Sequence, residues 1–359
     1  MIVLKRKKKR KVWPLIGTLC LAVAGFLWVQ TSREEVYTVE TVRDGSNVTR
    51  TFETLAEARR YMEGGTNRTL FSPEGEVIDF NGTGIAITPS STITHLYEDK
   101  ALSKRQSYVA GGTRLTLLSR GKDHLLVRIS GADVYVPAKN MSLFPEAVVK
   151  KRGFYEIKDG DVYHSVEANG NLAGKFLVGP TEKQSKKRFY TERVKDVFDS
   201  PYQFANIRSK SPYSAEDFDS FLNEIDSPLS GKGSAFKQME EEYGINALFL
   251  LAVAGHESGY GSSAIAQDKL NLFGFKATDD DPSGNATSFD SIEASVQAAA
   301  ELFATKYVKG PYARGAFPGN KQEGINMFYA SDPYWGEKVA GTMYRIDRTL
   351  GLRYLKAIQ

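Results

Sequence analysis

Twenty consecutive residues from Trp13 to Ser32, WPLIGTLCLAVAGFLWVQTS, carry no charge. At about 1.5 Å per helical residue such a run spans the roughly 30 Å of hydrocarbon in a bilayer, and it predicts a membrane-crossing helix. The alternative is a signal peptide cleaved near Ala22-Val23-Ala24. A mature chain opening on GFLWVQ would be unusually apolar, which favours an anchor that is retained. Cys20, the only cysteine, lies inside this run and reads as an inert buried thiol.

Beyond the anchor the pattern changes twice. Residues 36–85 alternate short β-like runs (VYTVETV, EVIDF) around one helical patch, TLAEARRYM. Between 92 and 145, SYVAGGTRLTLLSR, HLLVRIS and DVYVPAKNMSL are short β-branched and aromatic runs separated by Gly, Asp and Lys turns, the rhythm of a small barrel. A further β-rich piece, GFYEIKDGDVYHSVEANGN, reaches about residue 172, and the proline-broken stretch 181–213 reads as a connector draped over the next domain. From Ser214 the period becomes helical. SAEDFDSFLNEI opens on a Ser214/Asp217 capping box, SAFKQMEEEYG stops at Gly244, and Asn246 is placed to cap ALFLLAVAGHE, which is apolar almost all round and so predicted buried. Ile292, Val296, Ala299, Phe303 and Tyr307 mark a further helix. Val339, Met343, Ile346 and Leu350 mark the last one.

The resulting expectation is an α+β multidomain chain. It comprises a basic tail (1–12), an anchor (13–32), a small α/β region (33–90), a β-rich region (91–180), a connector (181–213) and a mainly helical domain (214–359).

Charge sharpens the orientation. Seven of the 47 basic residues fall within 1–12 with no acid among them; removing them leaves 40 basic against 43 acidic, a balance of −3. The excess positive charge therefore belongs to the tail and makes no case for nucleic-acid binding. A basic block before the apolar run puts the tail in the cytoplasm and the bulk of the chain outside, at the cell membrane. An outer part without cysteine fits a Gram-positive cell surface better than a disulfide-stapled secreted protein.

The candidate chemistry lies in HESGYGSS, residues 256–263, where the apolar helix gives way to glycine and serine. His256 and Glu257 begin a zinc-like H-E-x-x-H, but position 260 is tyrosine and the other histidines lie in the β region, so a metal site is not expected. GHESG is not G-x-S-x-G, which removes the serine-hydrolase reading. There remains a carboxyl at the end of a buried helix. Desolvation there favours the protonated form, which can donate a proton to a leaving oxygen. A solvated glutamate in the last helical turn is the plainer alternative on these residues alone.

The segments AVAGHESGYGSSAIAQDKLNLFGFKATDDDPSGNATSFDSIEASV and YASDPYWGEKVAGTMYRI resemble the bacterial endo-β-N-acetylglucosaminidases of glycoside hydrolase family 73, over roughly 214–355. The GGTRLTLL…VYVPAKNM order is similar to bacterial Src-homology-3-type (SH3-like) wall-associated domains. The first resemblance implies a lysozyme-like fold, helical with a small β-hairpin lobe, and peptidoglycan glycan strands as substrate, cleaved at the β-1,4 bond after N-acetylglucosamine without a cofactor. It carries the general acid onto Glu257 and a tyrosine near the scissile bond onto Tyr329. It carries groove positions onto Asn271, Phe273 and Gly274, and Asp332, Tyr334 and Trp335 follow in the last motif as substrate-binding candidates. Trp335 offers a ring to stack on a sugar or to pack, and Asp332 equally reads as the cap of the last helix.

Asp290 is the candidate second carboxylate, although with Glu293 it also forms a capping box. Among substrates with an N-acetyl group, the acetamido oxygen offers a nucleophile that needs no second carboxylate. A lytic transglycosylase, a muramidase and a non-catalytic wall-binding scaffold remain alternatives, and an anchored chain leaves room for a membrane-protein partner.

Overall fold

The computed structural model describes residues 36–359 apart from 44–45, 169–170, 193 and 277–281. The expected tail and anchor lie outside these residues. Among the described residues no helix is long and apolar enough to cross a membrane.

Three antiparallel sheets precede the helices. The first comprises β1 (Tyr37–Arg43), β2 (Ser46–Phe52), β3 (Arg68–Phe71) and β4 (Val77–Phe80), in the order β2-β1-β3-β4, with α1 (Leu55–Glu63) packed on it. Val39, Ala58, Met62 and Leu70 form its small core. The second sheet has seven strands: β5 (Gly84–Ile87), β6 (Thr94–Tyr97), β7 (Arg105–Val109), β8 (Arg114–Arg120), β9 (His124–Ile129), β10 (Ala132–Pro137) and β11 (Ser142–Pro145). Its order is β11-β5-β8-β9-β10-β6-β7, which leaves β7 at one edge. Alternation puts Leu115, Leu117, Leu125, Val127, Val134 and Val136 into one core. The expected boundary at residue 90 falls inside this sheet, because β5 pairs with both β8 and β11.

The third sheet, β12 (Phe154–Lys158), β13 (Asp161–Ala168) and β14 (Asn171–Pro180), is separate from the second, against the expectation of one β-rich region over 91–180. It is built into the helical body. There lie α2 (Ala215–Glu224), α3 (Gly233–Tyr243), α4 (Ala247–Ser258), α5 (Ala264–Lys269), α6 (Pro282–Asn285), α7 (Ile292–Leu302), α8 (Trp335–Thr349) and α9 (Arg353–Ile358). The chain continues from α7 as a π-helix over Phe303–Val308. Capping follows the sequence signals: the Ser214/Asp217 box opens α2, Asn246 accepts from the Phe249 N–H to open α4, and Gly244 ends α3 in the left-handed conformation. The third helix departs from them, since Ser291 caps α7 in place of an Asp290/Glu293 box.

The third sheet and α8 meet closely. Gly341 lies so near β14 that a Cβ there would sit 1.9 Å from the Leu177 carbonyl oxygen. The Tyr155 hydroxyl donates to Glu337 Oε1 (2.7 Å), and His164 Nδ1 lies 2.8 Å from Glu337 Oε2, all three side chains being buried. The connector is also more than a drape. Tyr202 and Ile207 are fully buried in the helical core, and the Tyr202 and Tyr213 hydroxyls both bond buried Asp347. The expected β-hairpin lobe is not seen: among the described residues of 214–359 there is no strand, and the stretch after Lys276 contains the short α6.

Candidate functional site

α4 carries the site because its first two turns are buried without exception from Ala247 to Ala254. Leu248, Phe249, Leu250, Leu251 and Val253 are each fully out of water; such side chains contribute roughly 1.5–3 kcal/mol apiece. That outweighs the unfavourable meeting of a carboxylate with a helix C-terminus, which costs about 0.3–1 kcal/mol. Glu257 thus stays in the last turn. Gly259, Tyr260 and Gly261 follow with φ of 58°, 54° and 84°, a left-handed run that turns the chain sharply away. The Tyr260 ring folds back over Gly255, where a Cβ would meet it at 2.4 Å.

The Glu257 carboxyl is open to solvent on one side and hemmed in by α8 on the other. Its Oε1 accepts from the Trp335 indole N–H at 2.8 Å. Desolvation pushes its pKa up; the Trp335 hydrogen bond opposes this, nearby Asp332 adds to it, and Lys338 works against it. Neighbouring His256 is held low by the same partial burial and by Lys338. Asp332 and Lys338 form an ion pair at 2.5 Å. The arrangement is a carboxyl whose pKa is raised above the ordinary carboxylate value, oriented by one hydrogen bond and reachable from solvent.

Tyr329 joins this group. Its ring packs on Trp335 (centroids 4.6 Å apart), Phe303 (5.2 Å) and Tyr307 (5.6 Å). Burial, then the Glu257 charge, push the Tyr329 hydroxyl well up, so it stays a neutral donor. The π-helical turn after α7 supplies Phe303 and Tyr307 to this wall.

Several candidates take other roles. Trp335 is only 2% exposed and offers no face to a sugar; its indole serves Glu257. Asn271 is buried and spent on the chain around it, donating to the carbonyls of Phe275 and Thr287 and accepting from the Phe275 N–H. Phe273 is core, and Gly274 is a left-handed turn position. Tyr334 donates to Glu192 Oε2 at 3.1 Å and meets His164 edge to face. Asp332 does not cap α8, whose cap is Tyr334; it accepts instead from the Tyr334 N–H at 2.9 Å. Asp290 is exposed just before α7, whereas the carboxylate that acts on Glu257 is Asp332. Asp279, Asp280 and Asp281, the carboxylates of the expected hairpin, lie outside the described residues.

Sequence reasoning passed over His256 and Lys338. The spacing Trp335-x-x-Lys338 on one helical face would have pointed to the second. A cavity of about 330 Å³ opens between the second and third sheets, with Asp332, Lys338, Arg114, Arg128, Arg152 and Glu192 among its walls. Among the described residues no group of three His, Cys, Asp or Glu side chains is placed to hold a metal ion.

The site thus brings together a helix-borne, partly desolvated carboxyl, an indole donor and a tyrosine. Residues 233–348 match the family model described as Glucosaminidase, mannosyl-glycoprotein endo-beta-N-acetylglucosaminidase. Two proteins from Streptococcus pneumoniae strains, each named "Putative endo-beta-N-acetylglucosaminidase", are 36% identical over 264 residues, which is 68% of this chain and 39% and 37% of theirs. The chain thus spans less than half the length of these relatives. Among solved structures, S. aureus autolysin E is 21% identical with a TM-score of 0.36, over 47% of this chain and 83% of that one. S. aureus glucosaminidase B is 20% identical with a TM-score of 0.34, over 42% and 66%. The family match and the two relatives support a glucosaminidase domain in the helical part of the chain.

Proposed function

We propose that the protein is a peptidoglycan hydrolase, an endo-β-N-acetylglucosaminidase that cleaves the β-1,4 bond after N-acetylglucosamine in glycan strands. The observation that carries this is Glu257. Its carboxyl is pushed up by desolvation and by Asp332, held by the Trp335 indole, and open to solvent. A carboxylic acid in that setting protonates the glycosidic oxygen as the bond breaks. The Tyr329 hydroxyl, kept neutral, donates a hydrogen bond to the sugar at the cleavage point. The attacking group is either a second carboxylate or the substrate's own acetamido oxygen. Residues 13–32 anchor the chain in the cell membrane with the tail inside, confining the enzyme to strands near the membrane, where a membrane-protein partner can meet it.

The test is digestion of purified peptidoglycan with mass spectrometry of the products. Reducing-end N-acetylglucosamine is expected; reducing-end muramic acid would make the enzyme a muramidase, and anhydromuramic ends a lytic transglycosylase. Wild type that releases nothing would leave a wall-binding scaffold. Glu257→Gln should lower turnover by about 10²–10⁴-fold, the usual worth of a general acid, without altering the thermal midpoint. Full activity in that variant would remove Glu257 from the mechanism.

A further inference from the structure

The segment 326–333 runs into α8 and carries Tyr329 and Asp332. It makes a single 3-10 turn at Ile325–Met327 and is otherwise irregular, so few of its carbonyls have a partner within their own element. Each of the eight has a donor nonetheless. Asn326 and Ala330 accept from the Lys321 ammonium, at 2.8 and 2.5 Å. Met327 accepts from the Ser107 hydroxyl at 2.5 Å, and Phe328 and Tyr329 share the Tyr108 hydroxyl at 3.2 and 3.3 Å. Ser331 accepts from the Ala110 N–H, Asp332 from the Asn326 side chain, and Pro333 from both Asn326 and the Ser130 hydroxyl.

Half of the donors have one origin in the fold. Ser107 and Tyr108 lie on β7, Ala110 follows it, and Ser130 is in the β9–β10 turn, so four belong to the seven-stranded sheet; the helical body adds Lys321, Asn326, the Tyr307 hydroxyl on Phe328 (3.5 Å) and the Trp335 N–H on Asp332 (3.4 Å). A sheet edge presents groups with no strand to satisfy them, and here the covering element is the segment that leads into α8. Lys321 is the internal tie. It is fully buried, its ammonium lies 5.2 Å from the Tyr108 ring centre, its own N–H donates to the Ser130 carbonyl, and its carbonyl accepts from Gln106.

We propose that the edge of the second sheet, through Ser107 and Tyr108, together with Lys321, positions Tyr329, Asp332 and Trp335 against Glu257. The sheet is then a working part of the active site, and Ser107, Tyr108 and Lys321 are positioning residues. The kinetic consequence rests on the glucosaminidase reading; the positional one does not. Loss of the ties lets the segment shift, and a displacement of the order of 1 Å in a reacting arrangement costs about a hundredfold in rate.

The experiment uses the full chain in detergent with ¹⁵N-labelled tryptophan. The Trp335 indole N–H, assigned by its loss in Trp335→Phe, donates to Glu257, so its resonance titrates with that carboxyl. Tyr108→Phe and Ser107→Ala each remove one hydroxyl and little volume; Lys321→Met removes the internal tie; Ser107→Thr restores a hydroxyl. Val134→Ala, in the core of the same sheet and away from the segment, controls for lost stability. Expected are a displaced indole titration and a fall in kcat of about tenfold or more in the first three, with KM little changed. Recovery is expected in Ser107→Thr, and a lower thermal midpoint alone in Val134→Ala. Indole titrations that match wild type in Tyr108→Phe, Ser107→Ala and Lys321→Met would overturn the proposal, as would an equal kcat loss in Val134→Ala. A wild type without hydrolytic activity would sink the glucosaminidase reading, and the indole titration would still decide the positional one.

Discussion

Trp335 holds Glu257 by a single indole hydrogen bond, and that bond opposes the burial that raises the carboxyl's pKa. Trp335→Phe therefore leaves the desolvation in place and removes a brake, so the Glu257 pKa rises further. A general acid is lost as pH climbs through its pKa, and the alkaline limb of the kcat/KM profile should move to higher pH in this variant. A limb that stays in place, or moves down, would separate Trp335 from the acid. Lys321 offers a second pH test with a definite sign. Burial lowers its amine to about 7 from the ordinary 10.5, although the Asp332 charge pulls the other way. Between those values the folded chain binds fewer protons than the unfolded one, so this group makes stability rise with pH across that window, and its full cost is present below it. In urea unfolding at several pH values, the stability of wild type relative to Lys321→Met should increase from about pH 6 to about pH 10. A difference that is flat across the window would mean that the amine is not held low.

At the scale of elements, α8 is the meeting point of the structure. Its N-terminus supplies Trp335 and Lys338 to the acid, its middle packs on α4, and its glycine face lies on β14. A methyl group at position 341 has no room beside the Leu177 carbonyl, which is backbone and cannot rotate aside. Gly341→Ala should cost about 1–3 kcal/mol in denaturant unfolding, the range of an overpacked core, and a loss below about 0.5 kcal/mol would show that helix and sheet can separate freely there. Most helices of this body were legible in the sequence, because caps and apolar spacing agree locally: Ser214, Gly244 and Asn246 mark ends that the chain uses. The third sheet's docking was not legible. Period-two alternation gives the strands, but nothing in GFYEIKDGDVYHSVEANGN says that Tyr155 and His164 will meet a glutamate on a helix more than 170 residues later. Glu257 stands out in the sequence by itself, whereas its surroundings do not. A carboxyl in a greasy run is a local anomaly, whereas the partner that acts on it, Asp332, comes to it only through tertiary packing. Asn271 and Trp335 show the same limit, since motif positions do not tell which side chains face a groove and which build its wall.

For the whole molecule, two apolar cores, one in the seven-stranded sheet and one in the helical body, are joined by a polar lattice along 326–333. Each core has enough buried side chains to resemble a domain, yet the lattice lies where both must be intact for its carbonyls to be satisfied. Buried polar groups left without partners cost about 1–3 kcal/mol each, so opening the sheet alone would expose several of them at once. Calorimetry should accordingly find one transition for 84–359, and Tyr108→Phe or Ser107→Ala should broaden it or split it in two. Two well-separated transitions in the wild type would mean that the lattice does not couple the cores.

The seating of 326–333 on β7 also bears on how such proteins can be rebuilt. Chains built of several units invite engineering by exchange of one unit for another, on the premise that the units fold and work independently. Here a replacement sheet would have to bring hydroxyls equivalent to those of Ser107, Tyr108 and Ser130 and a backbone donor at Ala110, in register with a chain it was never selected to meet. A chimera lacking them would leave carbonyls of 326–333 without their donors, so the productive cut for domain exchange lies before Gly84, ahead of the seven-stranded sheet.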